Sequence, residues 1–166
     1  NAGYKDTFEL LDSLIKIKTP EFNLIVVDNN SSGNDVKFLE TNYKDFINVL
    51  KCDSNLGFAG GNNKGIKSAL ESNPDYLLLI NNDTTVEPDF LNVLVEKFTA
   101  DEKIGIVAPQ INYYDNPKRV WSAGGKISKI RGSGFAVSDI LETEIIQTDR
   151  SVGFVSGCCM LIKSSV

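Results

Sequence analysis

Short apolar runs alternate with amphipathic segments along the first two thirds of the chain. Runs of aliphatic, often β-branched residues predict four buried strands, at 22–27, 47–50, 76–80 and 104–108. Apolar residues at helical spacing predict helices that begin at Asp6, span 35–43, span about 62–71 and begin again at Pro88. This alternation indicates an α/β fold with a mostly parallel central sheet and helices on both faces.

The pattern changes after Ile111. Glycines and short apolar pairs replace the helical pattern, which predicts hairpins or an irregular surface around Trp121. A large aromatic residue there fits either a core position or a surface that contacts a ligand. Two further strands are predicted at 152–155 and 159–162.

Size and charge narrow the class of protein. The 166 residues fit one domain, and 42% hydrophobic with 23% charged residues is ordinary globular usage. A net charge of −5 argues against a nucleic-acid binder, which needs a clustered cationic face. We find no apolar run that approaches a membrane span and no signal peptide, so we expect no membrane span in this chain.

The chain has no histidine and three cysteines. The lack of histidine excludes a histidine-based triad and a histidine-ligated zinc site. A metal would therefore be held by oxygen, which favours Mg²⁺ or Mn²⁺. Adjacent Cys158 and Cys159 suit a reducing compartment and are better explained as small strand residues than as nucleophiles.

Polar clusters follow three of the predicted strands: Asp28, the glycine-rich segment 53–61, and Asn81-Asn82-Asp83. In a parallel sheet, ligands bind outside the carboxyl ends of the strands. Each cluster alone is explained by turns and caps, but their joint occurrence favours a shared site. Asp83 is the candidate metal ligand, and its alternative is a tight turn.

The other two clusters could hold the rest of a nucleotide. Asp28 offers an acceptor for the N3–H of uracil or thymine, and its alternative is a cap or Asx-turn. Gly57, Gly60 and Gly61 allow close approach of a diphosphate to a helix start, although the segment matches neither a P-loop nor a dinucleotide fingerprint. Lys64 could add positive charge or be an exposed helix lysine.

Four blocks of sequence together resemble the family 2 glycosyltransferases, especially the rhamnosyltransferase-like branch. They are LIVVDNNSS at 24–32, NLGFAGGN at 55–62, YLLLINND at 76–83 and GCCMLI at 157–162. The resemblance implies a GT-A fold and transfer of a hexosyl or rhamnosyl group, with inversion, from a dTDP- or UDP-sugar. The implied acceptor is a saccharide or lipid-linked molecule in cell-surface polysaccharide synthesis.

The resemblance also assigns site residues. Asp83 would be the last residue of the family's metal-binding DXD motif, whose first position here is Asn81. The expected nucleotide-binding residues are Asp28, Asn30, Asn55, Gly57, Gly61, Asn62, Asn81 and Asn82. A cytoplasmic location follows from this likeness, and the inner face of the membrane is one place where the protein could act. The oligomeric state is left open.

By the same likeness the chain is one domain, 1–166, truncated at both ends. The donor-binding part is about 1–110, and residues from about 111 to 166 are the start of the acceptor-side region. The family's first strand is expected before Asn1 and its general base beyond Val166. Two alternatives stay open: a sugar-nucleotide-binding fragment without turnover, and a sugar-1-phosphate nucleotidyltransferase.

Overall fold

The computed structural model describes residues 4–128, 130, 132–141 and 148–166. Four helices are α1 (Tyr4–Leu14), α2 (Asp35–Asn42), α3 (Gly57–Leu70) and α4 (Phe90–Ala100). The strands are β1 (Leu24–Asp28), β2 (Ile47–Lys51), β3 (Tyr76–Ile80), β4 (Ile106–Val107), β5 (Ile111–Asn112), β6 (Arg119–Ser122), β7 (Gly125–Ser128), β8 (Ser133–Ala136), β9 (Ile140–Leu141) and β10 (Cys159–Lys163). None of these described helices is long and apolar enough to cross a membrane.

The strands that carry the predicted site fall into two sheets. β1 and β2 run parallel, with Leu24 opposite Ile47 and Asp28 opposite Lys51. β10 lies between β3 and β4 and runs antiparallel to both. The α/β class and its strand–helix alternation are confirmed, with one parallel sheet and one sheet in which the last strand runs antiparallel to its neighbours.

The predicted hairpins after Ile111 are confirmed. β5, β6 and β9 form one antiparallel sheet, and β7 pairs with β8 in a second. Val120 on β6 is fully buried, whereas its neighbour Trp121 is 41% exposed, so the tryptophan is a surface residue. The strand predicted at 152–155 is wrong, because only Phe154 forms a bridge there, to Gly125.

The core lies where α1 and α4 cover β3 and β10. Its buried residues include Leu10, Leu11, Leu14, Leu91, Leu94, Phe98 and Leu161. The ring of Phe98 stacks on Tyr76 at a centroid distance of 4.8 Å, which fixes α4 against β3. The helical apolar pattern after Pro88 therefore identified the buried face correctly.

Three helix starts differ from the prediction. Asp6 lies within the first turn of α1 instead of capping it, and α4 begins at Phe90, two residues after Pro88. The larger difference is α3, which begins at Gly57 and not near Asn62. The glycine-rich segment is thus partly the first turns of a helix, for a reason given below.

The edges of β1 and β3 that face each other are open. Among the described residues, β1 pairs only with β2, and β3 pairs only with β10. Asn81 N–H donates to the Cys158 carbonyl, and Ser164 N–H donates to the Asp75 carbonyl. Since bonded pairs alternate in an antiparallel ladder, even-numbered residues of β3 direct their backbone groups away from β10.

A cleft of about 1560 Å³ lies between these edges, lined by consecutive residues of both β1 and β3. Consecutive lining residues mean that the cleft faces strand edges as well as strand faces, because alternate side chains point to opposite faces. The volume exceeds the several hundred cubic ångströms that a small-molecule pocket needs. The cleft is therefore larger than a small-molecule ligand needs.

Candidate functional site

The three predicted clusters lie together. The lining of the single cleft includes Asp28, Gly57, Gly61, Asn62, Asn81, Asn82 and Asp83. The ends of β1 and β3 and the connection from β2 into α3 carry these residues, so the strand ends line one cleft, as the strand-end rule predicts. Asn30 and Asn55 are outside this lining.

Asp28 is half-buried at the end of β1, and one of its oxygens is engaged. Its Oδ1 accepts the backbone N–H of Ser31 at 3.0 Å. The acceptor is three residues before the amide, so this is the cap-type contact that was one alternative to a ligand role. The contact occupies one oxygen, and within the described structure the second has no hydrogen-bond partner and can still accept from a ligand.

Asn29 links the first two clusters, and sequence reasoning treated it only as loop. Its Oδ1 accepts the N–H of Leu56 at 2.8 Å, which fixes the orientation of the amide. Its Nδ2 then donates to Asn55 Oδ1 at 3.1 Å and to the Gly57 carbonyl at 3.0 Å. The one available signal was its place between two polar neighbours directly after a strand.

This network explains why α3 starts early. Asn55 Oδ1 accepts the N–H of Gly57 at 2.8 Å, so both amides at the helix start, Leu56 and Gly57, have side-chain acceptors. Satisfied amides stabilise a helix start, in the manner of a cap. Gly57 has a φ of +70°, a conformation that glycine adopts without strain.

The start of α3 keeps donors for an anion. The amides of Phe58 and Ala59 follow the two capped ones, and an α-helix leaves its first N–H groups without helical acceptors. Gly61 is buried, and a side chain there would lie 3.5 Å from the Asn29 amide. Because Gly61 has no side chain, α3 can lie close to the loop after β1. A diphosphate could meet the helix terminus there.

The predicted site residue Asn30 is exposed and adopts a φ of +64°. Asparagine tolerates this left-handed conformation better than most residues, so its local role is to turn the chain. Its direct contact with a nucleotide stays a prediction. Lys64 donates to the Lys51 carbonyl at 2.6 Å, which directs its charge to the end of β2.

Asn81, Asn82 and Asp83 close β3 in a turn braced on several sides. Asn81 N–H donates to the Cys158 carbonyl at 2.8 Å, and the Asn81 carbonyl accepts the Thr84 hydroxyl at 2.7 Å. Asn82 Nδ2 donates to Thr7 Oγ1 at 3.0 Å, so this nitrogen faces α1. Asp83 is exposed, and its carboxylate has no partner in the described structure.

The donor set fits a hard divalent cation that is shared with a ligand. No group of three or more aspartate, glutamate, cysteine or histidine residues capable of holding a metal occurs among the described residues. One free carboxylate matches the way Mg²⁺ is bound through one or two carboxylates plus substrate phosphates. A metal at Asp83 would therefore depend on the diphosphate for its remaining ligands.

Adjacent Cys158 and Cys159 are thiols with raised pKa values. Burial, and then the charge of Asp83, raises the pKa of Cys158, while burial raises the pKa of Cys159 to about 12. Both groups stay protonated near neutral pH, which disfavours a nucleophilic role. All three cysteines are free thiols.

Phe58 is a second residue that sequence reasoning missed. Its ring is 64% exposed, and it lines the cleft beside Gly57. A side chain built at Gly157 would lie 3.6 Å from the Phe58 ring, so the ring also approaches the turn before β10. An exposed aromatic face at a site mouth can stack on a planar ligand group.

Comparisons with known proteins agree with this geometry. The sequence profile described as glycosyl transferase family 2 matches residues 3–166. A poly-beta-1,6-N-acetyl-D-glucosamine synthase of Staphylococcus aureus is 33% identical over 167 residues, covering 96% of this chain. The chain spans 37% of the length of that curated relative.

Two solved structures share the fold. A mannosyltransferase from Pyrobaculum calidifontis in complex with GDP-Man and Mn²⁺ superposes with a TM-score of 0.57 at 18% identity, over 68% of this chain and 33% of its own. TarS of S. aureus, residues 1–349, gives a TM-score of 0.53 at 23% identity, over 78% of this chain and 39% of its own.

Proposed function

The chain belongs to glycosyl transferase family 2 and has the GT-A fold, and we propose that it binds the nucleotide-diphosphate donor of a sugar-transfer reaction in polysaccharide synthesis. One observation carries the proposal: Asp28, the start of α3 and Asp83 all line one cleft. These groups match the base, the diphosphate and the metal of such a donor, in that order.

Each part of the donor has a chemical partner. The second oxygen of Asp28 would accept the N3–H of uracil or thymine, which cytosine lacks. The diphosphate would lie at the amino terminus of α3, where free amides and the helix dipole favour anions. A bound Mg²⁺ or Mn²⁺ would stabilise negative charge on the leaving diphosphate. Asp83 would hold that metal.

The finer identity of the donor is part of the proposal. We infer a UDP- or dTDP-sugar and inversion at the anomeric carbon, as the resemblance implies. The rhamnosyltransferase-like branch points to a rhamnosyl donor, whereas the name of the Staphylococcus aureus relative points to N-acetylglucosamine. UDP-N-acetylglucosamine and dTDP-rhamnose are therefore the first two donors to compare.

Transfer also needs an acceptor and a base. An acceptor hydroxyl must lose its proton as it attacks the anomeric carbon. We infer a saccharide or lipid-linked acceptor on the side of residues 111–166, where Trp121 is exposed. The split into donor and acceptor parts and the cytoplasmic location stay predictions, as does the identity of the general base.

The test is a titration of UDP, dTDP and GDP, each with and without Mn²⁺. We expect the pyrimidine nucleotides to bind more tightly than GDP, and Mn²⁺ to strengthen their binding about tenfold or more. Asp83→Asn should abolish the effect of Mn²⁺. Asp89→Asn is the matched control, because Asp89 is exposed six residues further along and caps nothing with its side chain. Metal-independent binding that is insensitive to Asp83→Asn would refute the metal role.

A product assay separates the alternatives. We expect a sugar-1-phosphate with a nucleoside triphosphate to give no sugar nucleotide. Formation of a sugar nucleotide would identify a nucleotidyltransferase. Donor and saccharide acceptor together should release UDP or dTDP if the chain turns over. Binding without release of either would favour the sugar-nucleotide-binding fragment.

A further inference from the structure

Two polar side chains are buried in an otherwise apolar core, and both belong to α1. Thr7 is 9% exposed and Ser13 is 7% exposed, and they are the two buried polar residues within the described part of the chain. Burying a hydroxyl group is unfavourable unless it makes hydrogen bonds. Their hydrogen-bond partners therefore indicate what the two hydroxyl groups do.

Both hydroxyl groups hold the segment that carries Asp83. Asn82 Nδ2 donates to Thr7 Oγ1 at 3.0 Å, and Val86 N–H donates to Ser13 Oγ at 3.2 Å. The two contacts lie on either side of Asp83, one residue before it and three residues after it. The 82–86 segment is thus tied to α1 at both ends.

The helix that provides these contacts is itself fixed. Leu10, Leu11 and Leu14 of α1 are at most 5% exposed and belong to the main core cluster. Ser13 Oγ also donates to the Leu10 carbonyl at 2.7 Å, so its hydroxyl has a set orientation. A packed helix is therefore the rigid support against which the loop is placed.

We propose that Thr7 and Ser13 are positioning residues that orient Asp83 for the metal–diphosphate complex. This inference rests on the proposed function. The Asp83 carboxylate has no partner of its own in the described structure, so its direction depends on how the backbone is held at 82 and 86. If the Asp83 carboxylate is already oriented before the metal binds, the complex avoids the entropy loss of ordering that side chain.

The proposal separates two parts of nucleotide affinity. Thr7 lines the cleft, but its hydroxyl accepts from Asn82, and Ser13 lies outside the lining, so both hydroxyl groups act on the donor through the 82–86 segment. Removing the Thr7 hydroxyl should therefore reduce the factor by which Mn²⁺ increases nucleotide affinity. Nucleotide affinity without metal should stay nearly unchanged. A purely structural role would weaken both to the same extent, or neither.

The main experiment compares Thr7→Val, which removes the hydroxyl at similar shape, with Thr7→Ser, which keeps it. Thr41→Val is the control, because the Thr41 hydroxyl contacts only the Lys37 carbonyl on exposed α2. For each variant we would measure UDP dissociation constants with and without Mn²⁺, the electron paramagnetic resonance signal of bound Mn²⁺, and the melting temperature. We expect Thr7→Val to lower the Mn²⁺ enhancement at least fivefold, with metal-free UDP affinity within twofold of wild type.

A second variant covers the case in which Thr7→Val does not fold. Asn82→Ala removes the same hydrogen bond from its exposed end, and should also reduce the Mn²⁺ enhancement. The double variant Thr7→Val/Asn82→Ala should lose no more enhancement than either single one, since they share one contact. Asn82 is itself an expected nucleotide-binding residue, so a loss of metal-free affinity in Asn82→Ala is compatible with the proposal, whereas an unchanged Mn²⁺ enhancement in this variant contradicts it.

Full Mn²⁺ enhancement in both Thr7→Val and Asn82→Ala would overturn the positioning role while leaving the proposed function intact. Equal loss of affinity with and without Mn²⁺ would overturn it as well, in favour of a structural role. No Mn²⁺ enhancement in wild type would instead overturn the proposed metal function, and this inference with it.

Discussion

Asn29 and Asn55 join two loops that are 26 residues apart, through a hydrogen bond of 3.1 Å from Nδ2 to Oδ1. The same Asn29 amide also accepts the N–H of Leu56 and donates to the Gly57 carbonyl. One half-buried side chain therefore holds the start of α3 against the end of β1. The relative position of the predicted base and diphosphate sites depends on it.

Asn29→Asp should destabilise this junction. An aspartate keeps the acceptor for Leu56 but loses the two bonds that Nδ2 donates, and places a charged oxygen against two other oxygens. We expect a loss of about 1–3 kcal/mol in the free energy of unfolding, and about tenfold weaker UDP binding. Urea denaturation measures the stability, and calorimetry measures the UDP affinity.

Asn116→Asp is the control, because Asn116 lies in an exposed loop and only its backbone carbonyl makes a hydrogen bond within the described residues. Equal behaviour of both variants would contradict the role of Asn29.

This contact also shows what the sequence could not predict. The strand Tyr76–Ile80 was placed correctly to the residue, because a continuous aliphatic run between turn residues is a local signal. The start of α3 was misplaced by about five residues, because the side chain that satisfies its Leu56 amide is 27 residues away. Such long-range caps leave no periodic pattern.

Strand direction and the position of the site residues were likewise only partly predictable from the sequence. The strand-end rule brought Asp28 and Asp83 to one cleft, since it depends only on the order of strands and helices. Nothing local signals that β10 runs antiparallel between β3 and β4. The engagement of Asn82 with α1 was also unpredictable, because its partner Thr7 is 75 residues away.

Gly65 sets the distance between α3 and β1. An added Cβ there would lie 2.9 Å from Cγ2 of Val27, whose branched side chain has little rotational freedom. Gly65→Ala gains about 1 kcal/mol in helix propensity, but overpacking costs about 1–3 kcal/mol. We expect a net loss of up to about 2 kcal/mol in the free energy of unfolding.

Val27→Ala is the matched partner for Gly65→Ala, because it removes the methyl group that is struck. In a double-mutant cycle measured by urea unfolding, the double variant should be more stable than the sum of the single changes predicts. Strict additivity would show that the helix can move away from β1 at no cost.

The open edge of β3 should be visible in amide hydrogen exchange. The amides of Leu77 and Leu79 point to β10, and those of Leu78 and Ile80 point to the cleft, from the alternation of the ladder. We expect Leu78 and Ile80 to exchange markedly faster than Leu77 and Leu79 in native-state exchange. The measurement should be repeated at two protein concentrations.

Equal protection of all four amides would show that another extended segment pairs with this edge. If that protection disappears on dilution, the segment comes from a second copy of the chain. Protection that is independent of concentration would contradict the open edge in the isolated chain.

Stability at high pH should depend on Tyr43. Its hydroxyl donates to Asp12 Oδ1 at 2.7 Å, and burial, followed by that hydrogen bond and the charge of Asp12, raises the pKa of Tyr43 to about 12. Between the ordinary pKa of about 10 and the folded value, the unfolded chain has lost the tyrosine proton while the folded chain keeps it. The free energy of unfolding therefore falls as pH rises through this window, and the stabilisation by Tyr43 is complete below it.

Tyr43→Phe lacks the titration, so the stability difference between wild type and Tyr43→Phe should shrink from pH 9 to pH 12. Urea unfolding at half-unit pH steps measures this difference. A constant difference would show that the titration of Tyr43 is not coupled to folding.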